Sequence, residues 1–183
     1  GHGAAVFTDG ARLFNAATAT GIGVDQWAAP VDAIWIDFSK GLGGPGGAAI
    51  AGSADFVTRA NRFKYLFGGA MRQSGILAAA ALYGLDNNLA QLRTDHDNAA
   101  HLGAGLSALG LRLTPPESNM VFCDSLPGMD VNAFVASLAE QGVRVSPGGA
   151  DRVRMVTHLG VSRKDVDTAI AAMRLGAFDY LRK

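Results

Sequence analysis

Ala33-Ile34-Trp35-Ile36-Asp37-Phe38-Ser39-Lys40-Gly41-Leu42-Gly43-Gly44-Pro45-Gly46-Gly47 is the stretch on which the fold reading turns. Its first six residues are an apolar run broken by one acid, the pattern of a short strand inside a covered sheet. Ser39-Lys40 ends the strand. The glycine-dense residues that follow cannot hold a helix or strand together, and they let backbone come close to a ligand. Upstream, Ala4 to Thr8 reads as a second buried strand, Asp9-Gly10-Ala11-Arg12 as its loop, and Leu13 to Gly21 as an alanine-rich helix closed by glycine. Val24 to Ala28 adds a helical turn before Pro30. Downstream, Ala48 to Ala51 is a return strand and Asp55 to Phe67 a basic helix. Strands alternating with helices make this an α/β layer.

Ser74 to Leu109 reads as one long helical tract. Leu85, Leu89, Leu92, His96, Ala99, Leu102 and Leu106 recur every three or four residues and form an apolar stripe. Asn87-Asn88 and Asp95-His96-Asp97 are the places where it could break. Past Gly110 and Pro115-Pro116 the texture becomes strand (Met120 to Asp124), helix (Val131 to Gln141), strand (Val143 to Ser146), strand (Val153 to Thr157). A last helix is capped by Ser162 with Asp165 three residues on and runs to about Leu181. The expected organisation is an α/β part at 1–73, a connecting helical segment at 74–109 and a small α+β domain at 110–183. The chain opens Gly1-His2-Gly3, without Met, and runs almost at once into a strand, so it reads as a fragment that begins inside a domain.

The 183 residues are 49% hydrophobic and 17% charged, a composition suited to a globular protein with a sizeable core. Sixteen basic residues balance sixteen acidic ones. That balance argues against a nucleic-acid footprint or a basic membrane patch. The longest apolar stretch, Ile76 to Leu82, is far short of the ~20 residues that span a bilayer. No signal-peptide pattern is visible, and the single cysteine, Cys123, cannot form an internal disulfide. Both fit a reducing, cytoplasmic setting.

Asp9 and Lys40 carry the chemistry. Each falls just past the C-terminal end of an expected strand, the edge at which open α/β sheets bind ligands. A lysine there can attack a carbonyl carbon as its neutral amine. A carboxylate across the same crevice suits a cationic ring nitrogen. A lysine imine and an acid partner are what pyridoxal 5'-phosphate (PLP) needs. By residue chemistry alone a second reading stands beside this one, since Asp-Gly is commonly a turn and a lysine beside glycines commonly lies on the surface.

Asp9-Gly10-Ala11-Arg12-Leu13-Phe14-Asn15-Ala16 resembles a signature of the L-threonine aldolases, a branch of the PLP-dependent β-eliminating lyases of fold type I. Ser39-Lys40-Gly41-Leu42-Gly43 is similar to that family's lysine motif. Gly68-Gly69-Ala70-Met71-Arg72-Gln73-Ser74-Gly75, Asn119-Met120-Val121-Phe122 and Arg154-Met155-Val156-Thr157-His158-Leu159 resemble its later segments, in the family's order. Ala70 replaces a usual Gly, and Gly160 stands where Asp is common. The resemblance implies a large PLP-binding domain whose C-terminal part is 1–73. It implies that Lys40 holds the cofactor as an imine and that Asp9 keeps the pyridine nitrogen protonated. Arg12 and Arg154 would grip the substrate carboxylate. Arg72, with Lys64, would reach the cofactor phosphate of a neighbouring subunit. It further implies retro-aldol cleavage of L-threonine, L-allo-threonine or related β-hydroxy-α-amino acids to glycine and an aldehyde, in a homodimer or homotetramer. The family's phosphate-binding turn and ring-stacking histidine lie in its N-terminal half. Another PLP-dependent β-elimination, or a non-catalytic degenerate subunit, is the alternative.

The remaining candidates read as structural. His96 suits a helix-face hydrogen bond, His158 a strand end, Cys123 a small buried hydrophobe, and Trp27 and Trp35 the core. Arg59, Arg62 and Lys64 divide evenly between a phosphate-facing and a solvated helix face.

Overall fold

The first strand pairs with the second in parallel, as the α/β reading requires. The computed structural model describes residues 2–181, which form two units that meet in sequence at Ala90 and Gln91. In the first unit, β1 (Phe7–Gly10) lies parallel to β2 (Ala33–Asp37), with α1 (Leu13–Thr20) and α2 (Val24–Ala28) in the crossover. Then β3 (Ala48–Gly52) returns antiparallel on the other side of β2. Helices α3 (Ala54–Leu66) and α4 (Gly75–Asn87) follow. Strand β1 begins later than its apolar run. Val6 is still outside the ladder, its carbonyl taking the N–H groups of Asp32 and Ala33 at 2.9 and 3.3 Å. Asp9 and Gly10 are inside it, paired with Trp35 and Ile36. A ladder uses backbone groups, so it runs on through a polar residue that hydropathy assigns to a loop.

Cap chemistry sets the helix ends. Ser53 Oγ accepts the Phe56 N–H at 3.2 Å to start α3, and Gly21, at φ 72°, closes α1 in a left-handed turn. The core of this unit is small: Ala33, Ile34, Leu42 and Ala81. Strand β3 is exposed throughout and Phe67 is 79% exposed. Trp27, expected inside, is also exposed.

The tract 74–109 is two helices, α4 and α5 (Gln91–Ala108), separated by turn residues 88–90. Of the two places expected to break, Asn88 does so and Asp95 to Asp97 continues as helix. The Asn88 side chain donates to the Leu42 carbonyl at 2.8 Å, which fixes the end of α4 to the loop after Lys40.

The second unit packs α5, α6 (Val131–Glu140) and α7 (Arg163–Leu181) with a four-stranded antiparallel sheet. Its strands are β4 (Leu113–Thr114), β5 (Met120–Asp124), β6 (Ser146–Pro147) and β7 (Arg152–Val156), in the order β4-β5-β7-β6. Leu106, Val121, Leu138, Val153, Val166 and Met173 fill one core. Each such side chain, fully buried, contributes about 1.5–3 kcal/mol. Asp130 caps α6 through the Asn132 and Ala133 N–H groups, and Ser162 and Asp165 cap α7 reciprocally. The strand expected at Val143 to Ser146 pairs only at Ser146 and Pro147, opposite Arg154 and Val153, and residues 143–145 stay outside the ladder.

Asp95 is the outlier of this core. It is 0% exposed, and neither carboxylate oxygen makes a hydrogen bond of good geometry. Burial pushes its carboxyl above the ordinary carboxylate value, against weaker opposing pulls from the Gln91 side chain, His158 and His96. A raised folded-state value means that the group's contribution to stability is complete below its unfolded value and is lost as pH rises through the folded one. Asp95→Asn is therefore expected to raise Tm at pH 7, with the gain shrinking as pH falls towards 4. A Tm lowered at pH 7 would show that the carboxylate is satisfied as an anion.

Candidate active site

Alternation along the strands puts Asp9, Trp35 and Asp37 on one face of the first sheet, because Asp9 is the register partner of Trp35 and Asp37 is two residues on. The Lys40 ammonium lies on that same face. It sits 5.6 Å from the centre of the Trp35 ring and 3.2 Å from Asp37 Oδ2. Thus the structure brings Asp9 and Lys40 to neighbouring strands, on one face and at one edge.

Local chemistry holds each of them. Asp9 Oδ1 accepts the Ala11 N–H at 3.0 Å, a tight turn that starts the chain towards α1. Gly10 is required there: a Cβ would stand 2.4 Å from the Trp35 carbonyl oxygen. Arg12 is half-buried at the N-cap of α1, and its carbonyl accepts the Ala16 N–H at 3.0 Å. After Lys40 the chain folds back on itself. The Gly43 N–H bonds to the Lys40 carbonyl, and the Gly44 N–H to the Phe38 carbonyl. Leu42, 2% exposed, plugs this loop down beside Gly84 of α4, where a Cβ would come within 2.7 Å of the Leu42 oxygen. Together with the Asn88 bond, this seats the loop on α4.

Asp37 was not expected to matter and does. Its Oδ1 accepts both the N–H and the hydroxyl of Ser39. Burial pushes its carboxyl up, but the Ser39 bonds and the Lys40 ammonium outweigh that and hold it below the ordinary value. The Lys40 side chain remains 37% exposed. An ion pair that open is worth about 0.2–1 kcal/mol, so it aims the amine without locking it. The one sequence signal for this contact was the spacing of three between acid and lysine. Trp35, expected in the core, is half-buried beneath the lysine.

The other expected residues lie apart from this group. Arg72 is exposed in the turn between α3 and α4, and Lys64 is exposed on α3. Neither side chain has a hydrogen bond or ion pair among the described residues. Arg154 belongs to the second unit. It projects from the outer face of β7, opposite Phe122 and Ser146, with no side-chain partner among the described residues. Cys123 is buried with its thiol pushed up to about 11, chiefly by burial and then by Asp124, which suits a packed hydrophobe and not a nucleophile. No group of three or more potential metal ligands occurs among the described residues, and none of their helices is long and apolar enough to cross a membrane.

An amine and an acid at the strand ends of an α/β sheet place the molecule in a class of known architecture. A threonine aldolase from Leishmania major shares the fold, with a TM-score of 0.72 over 96% of this chain and 53% of that one; at 24% identity the likeness speaks for the fold alone. Sequence gives the family. The beta-eliminating lyase model matches residues 1–125, and the chain belongs to that family. A low-specificity L-threonine aldolase from Escherichia coli strain K12 is 39% identical over 170 residues. The low-specificity L-threonine aldolase 1 of Arabidopsis thaliana is 37% identical over 178. These alignments take in 93% and 94% of this chain, which spans about half the length of either relative.

Proposed function

We propose that the complete protein is a PLP-dependent aldehyde-lyase that cleaves L-threonine, L-allo-threonine or a related β-hydroxy-α-amino acid to glycine and an aldehyde. The observation that carries this reading is the placement of Asp9 and the Lys40 amine on one face and one edge of the sheet. Family membership and the aldolase relatives support it. The donor set fits the cofactor: an amine for its carbonyl carbon, a carboxylate for its ring nitrogen and a guanidinium, Arg12, at the same edge for an anion. Bound there, PLP supplies the sink for the electron pair released when Cα–Cβ breaks.

The residues then divide the work. Lys40, held only loosely by Asp37, would be the amine that carries the cofactor. Asp9 holds a proton on the ring nitrogen, which keeps that sink open. The family resemblance assigns the substrate carboxylate to Arg12 and to Arg154, and a guanidinium that bonds it bidentately would restrict rotation about N–Cα. Arg72, with Lys64, serves the cofactor phosphate of a neighbouring subunit in a cytoplasmic homodimer or homotetramer. In domain terms, 1–73 is the end of the PLP-binding large domain, 74–109 the connecting helical segment and 110–183 the small α+β domain, with α5 contributing Ala99, Leu102 and Leu106 to the core of the last.

Arg154→Lys is expected to raise KM for L-threonine by about tenfold or more, since an ammonium cannot make two parallel bonds to a carboxylate. An unchanged KM would move the carboxylate grip to Arg12 alone. Product analysis with threonine, allo-threonine and phenylserine tests the reaction itself: glycine plus aldehyde supports aldol cleavage. Ammonia plus a keto acid would mean β-elimination, the alternative the family name keeps in view.

A further inference from the structure

We propose that Thr157 and Asn98 are positioning residues for Arg154, clamping the chain just beyond it to α5 so that the guanidinium meets a substrate carboxylate in one place. The proposal rests on the reading of Arg154 as a carboxylate grip. Strand β7 needs such a clamp. It pairs with β5 along its whole length, from Arg152 to Val156, but with β6 only at Val153 and Arg154, opposite Pro147 and Ser146. Beyond Arg154 the strand therefore has a ladder neighbour on one side only.

Buried polar side chains take over at that point. The Thr157 N–H donates to the Asn119 carbonyl at 3.0 Å, and Asn119 Nδ2 donates back to the Thr157 carbonyl at 2.8 Å. The Thr157 hydroxyl donates to the backbone carbonyl of Asp95 on α5 at 2.6 Å. Four residues beyond Thr157, the Val161 carbonyl accepts from Asn98 Nδ2, also on α5, at 2.9 Å. Between these two anchors the chain is a tight turn: the Val161 N–H reaches the His158 carbonyl at 2.7 Å and the Gly160 N–H reaches His158 Nδ1 at 3.1 Å. Thr157 and Asn98 are each 2% exposed.

Three of the five buried polar residues of the described chain, Asn98, Asn119 and Thr157, thus serve one short segment, and a fourth, Asp95, accepts through its backbone. These directed bonds specify one arrangement of the segment where an apolar core would tolerate several, although Asn119 Oδ1 and the Asp95 carboxylate oxygens make no hydrogen bond of good geometry. Arg154 is three residues from the first anchor, and its side chain has no hydrogen bond or ion pair among the described residues to hold it. A displacement of about 1 Å in a substrate-positioning group costs on the order of 10²-fold in rate.

The test uses the full-length, PLP-loaded protein. Thr157→Val keeps the shape and removes the hydroxyl, Thr157→Ser restores it, and Asn98→Ala removes the second anchor. We expect Thr157→Val to raise KM for L-threonine by about tenfold with kcat changed much less, the signature of lost ground-state binding. Thr157→Ser should return KM to near wild type, and Asn98→Ala should raise it by a smaller factor. Hydrogen exchange over residues 152–161, measured without substrate, should quicken in Thr157→Val and Asn98→Ala. Faster exchange with an unchanged KM would make the clamp a purely structural feature and overturn the proposal, as would unchanged exchange. If Thr157→Val does not fold, Asn98→Ala and Thr157→Ser decide the matter by the same two readouts. Arg154→Lys, run alongside, separates the causes: an unchanged KM in that variant sinks the grip itself, whereas a raised one with normal Thr157→Val sinks only the positioning.

Discussion

Lys40→Ala is expected to abolish both the visible absorption of bound PLP and the release of glycine from L-threonine. Lys40 is the amine that the sheet presents at its ligand edge, aimed by Asp37 and Trp35 yet open enough to react. On the proposed reading, the cofactor then loses its covalent anchor. Removing a group that bonds covalently during turnover costs on the order of 10⁴-fold or more. Circular dichroism should stay near wild type, because an exposed ion pair contributes little to stability. A wild-type visible band in Lys40→Ala would hand the role to another lysine.

Asp9→Asn is expected to do something different: to lower kcat by on the order of 10²-fold or more while PLP still binds. The scale is that of a single preorganised electrostatic contact to developing charge. An amide of the same shape can still accept the Ala11 N–H that shapes the turn, so the strand end keeps its form. It cannot hold a proton on the ring nitrogen. Cofactor titration and single-turnover rates separate the two effects. Turnover close to wild type would remove Asp9 from the mechanism.

The parts of this site that were legible in the sequence are those set by neighbours in the chain. Lys40 announces itself because a strand-like run and a glycine loop flank it directly, and Asp9-Gly10 marks a turn on residue type alone. The lysine's cradle was not legible. Asp37 and Trp35 share a face with Asp9 only through the register of β1 on β2, which no local pattern states. The break after α4 was legible only as one of two candidates. Asn87-Asn88 marked it by residue type, while the apolar stripe through Leu85, Leu89 and Leu92 ran on. Nothing local showed that Asn88 would bond the Leu42 carbonyl, 46 residues away. Strand β6 is shorter than its local pattern suggests, because Val143 to Val145 are outside the ladder with β7. The clamp beyond Arg154 was invisible for a further reason: Asn98, Asn119 and Thr157 are ordinary polar residues until the fold buries them together.

The central claim is that one lysine of this chain carries the cofactor, and one measurement reaches it directly. The full-length PLP-loaded protein is reduced with borohydride, which fixes the cofactor to the amine that holds it, then digested and mapped. The pyridoxyl group should be found on the peptide containing Ser39-Lys40-Gly41. Label on Lys64 or Lys164, with Lys40 unmodified, would contradict the account.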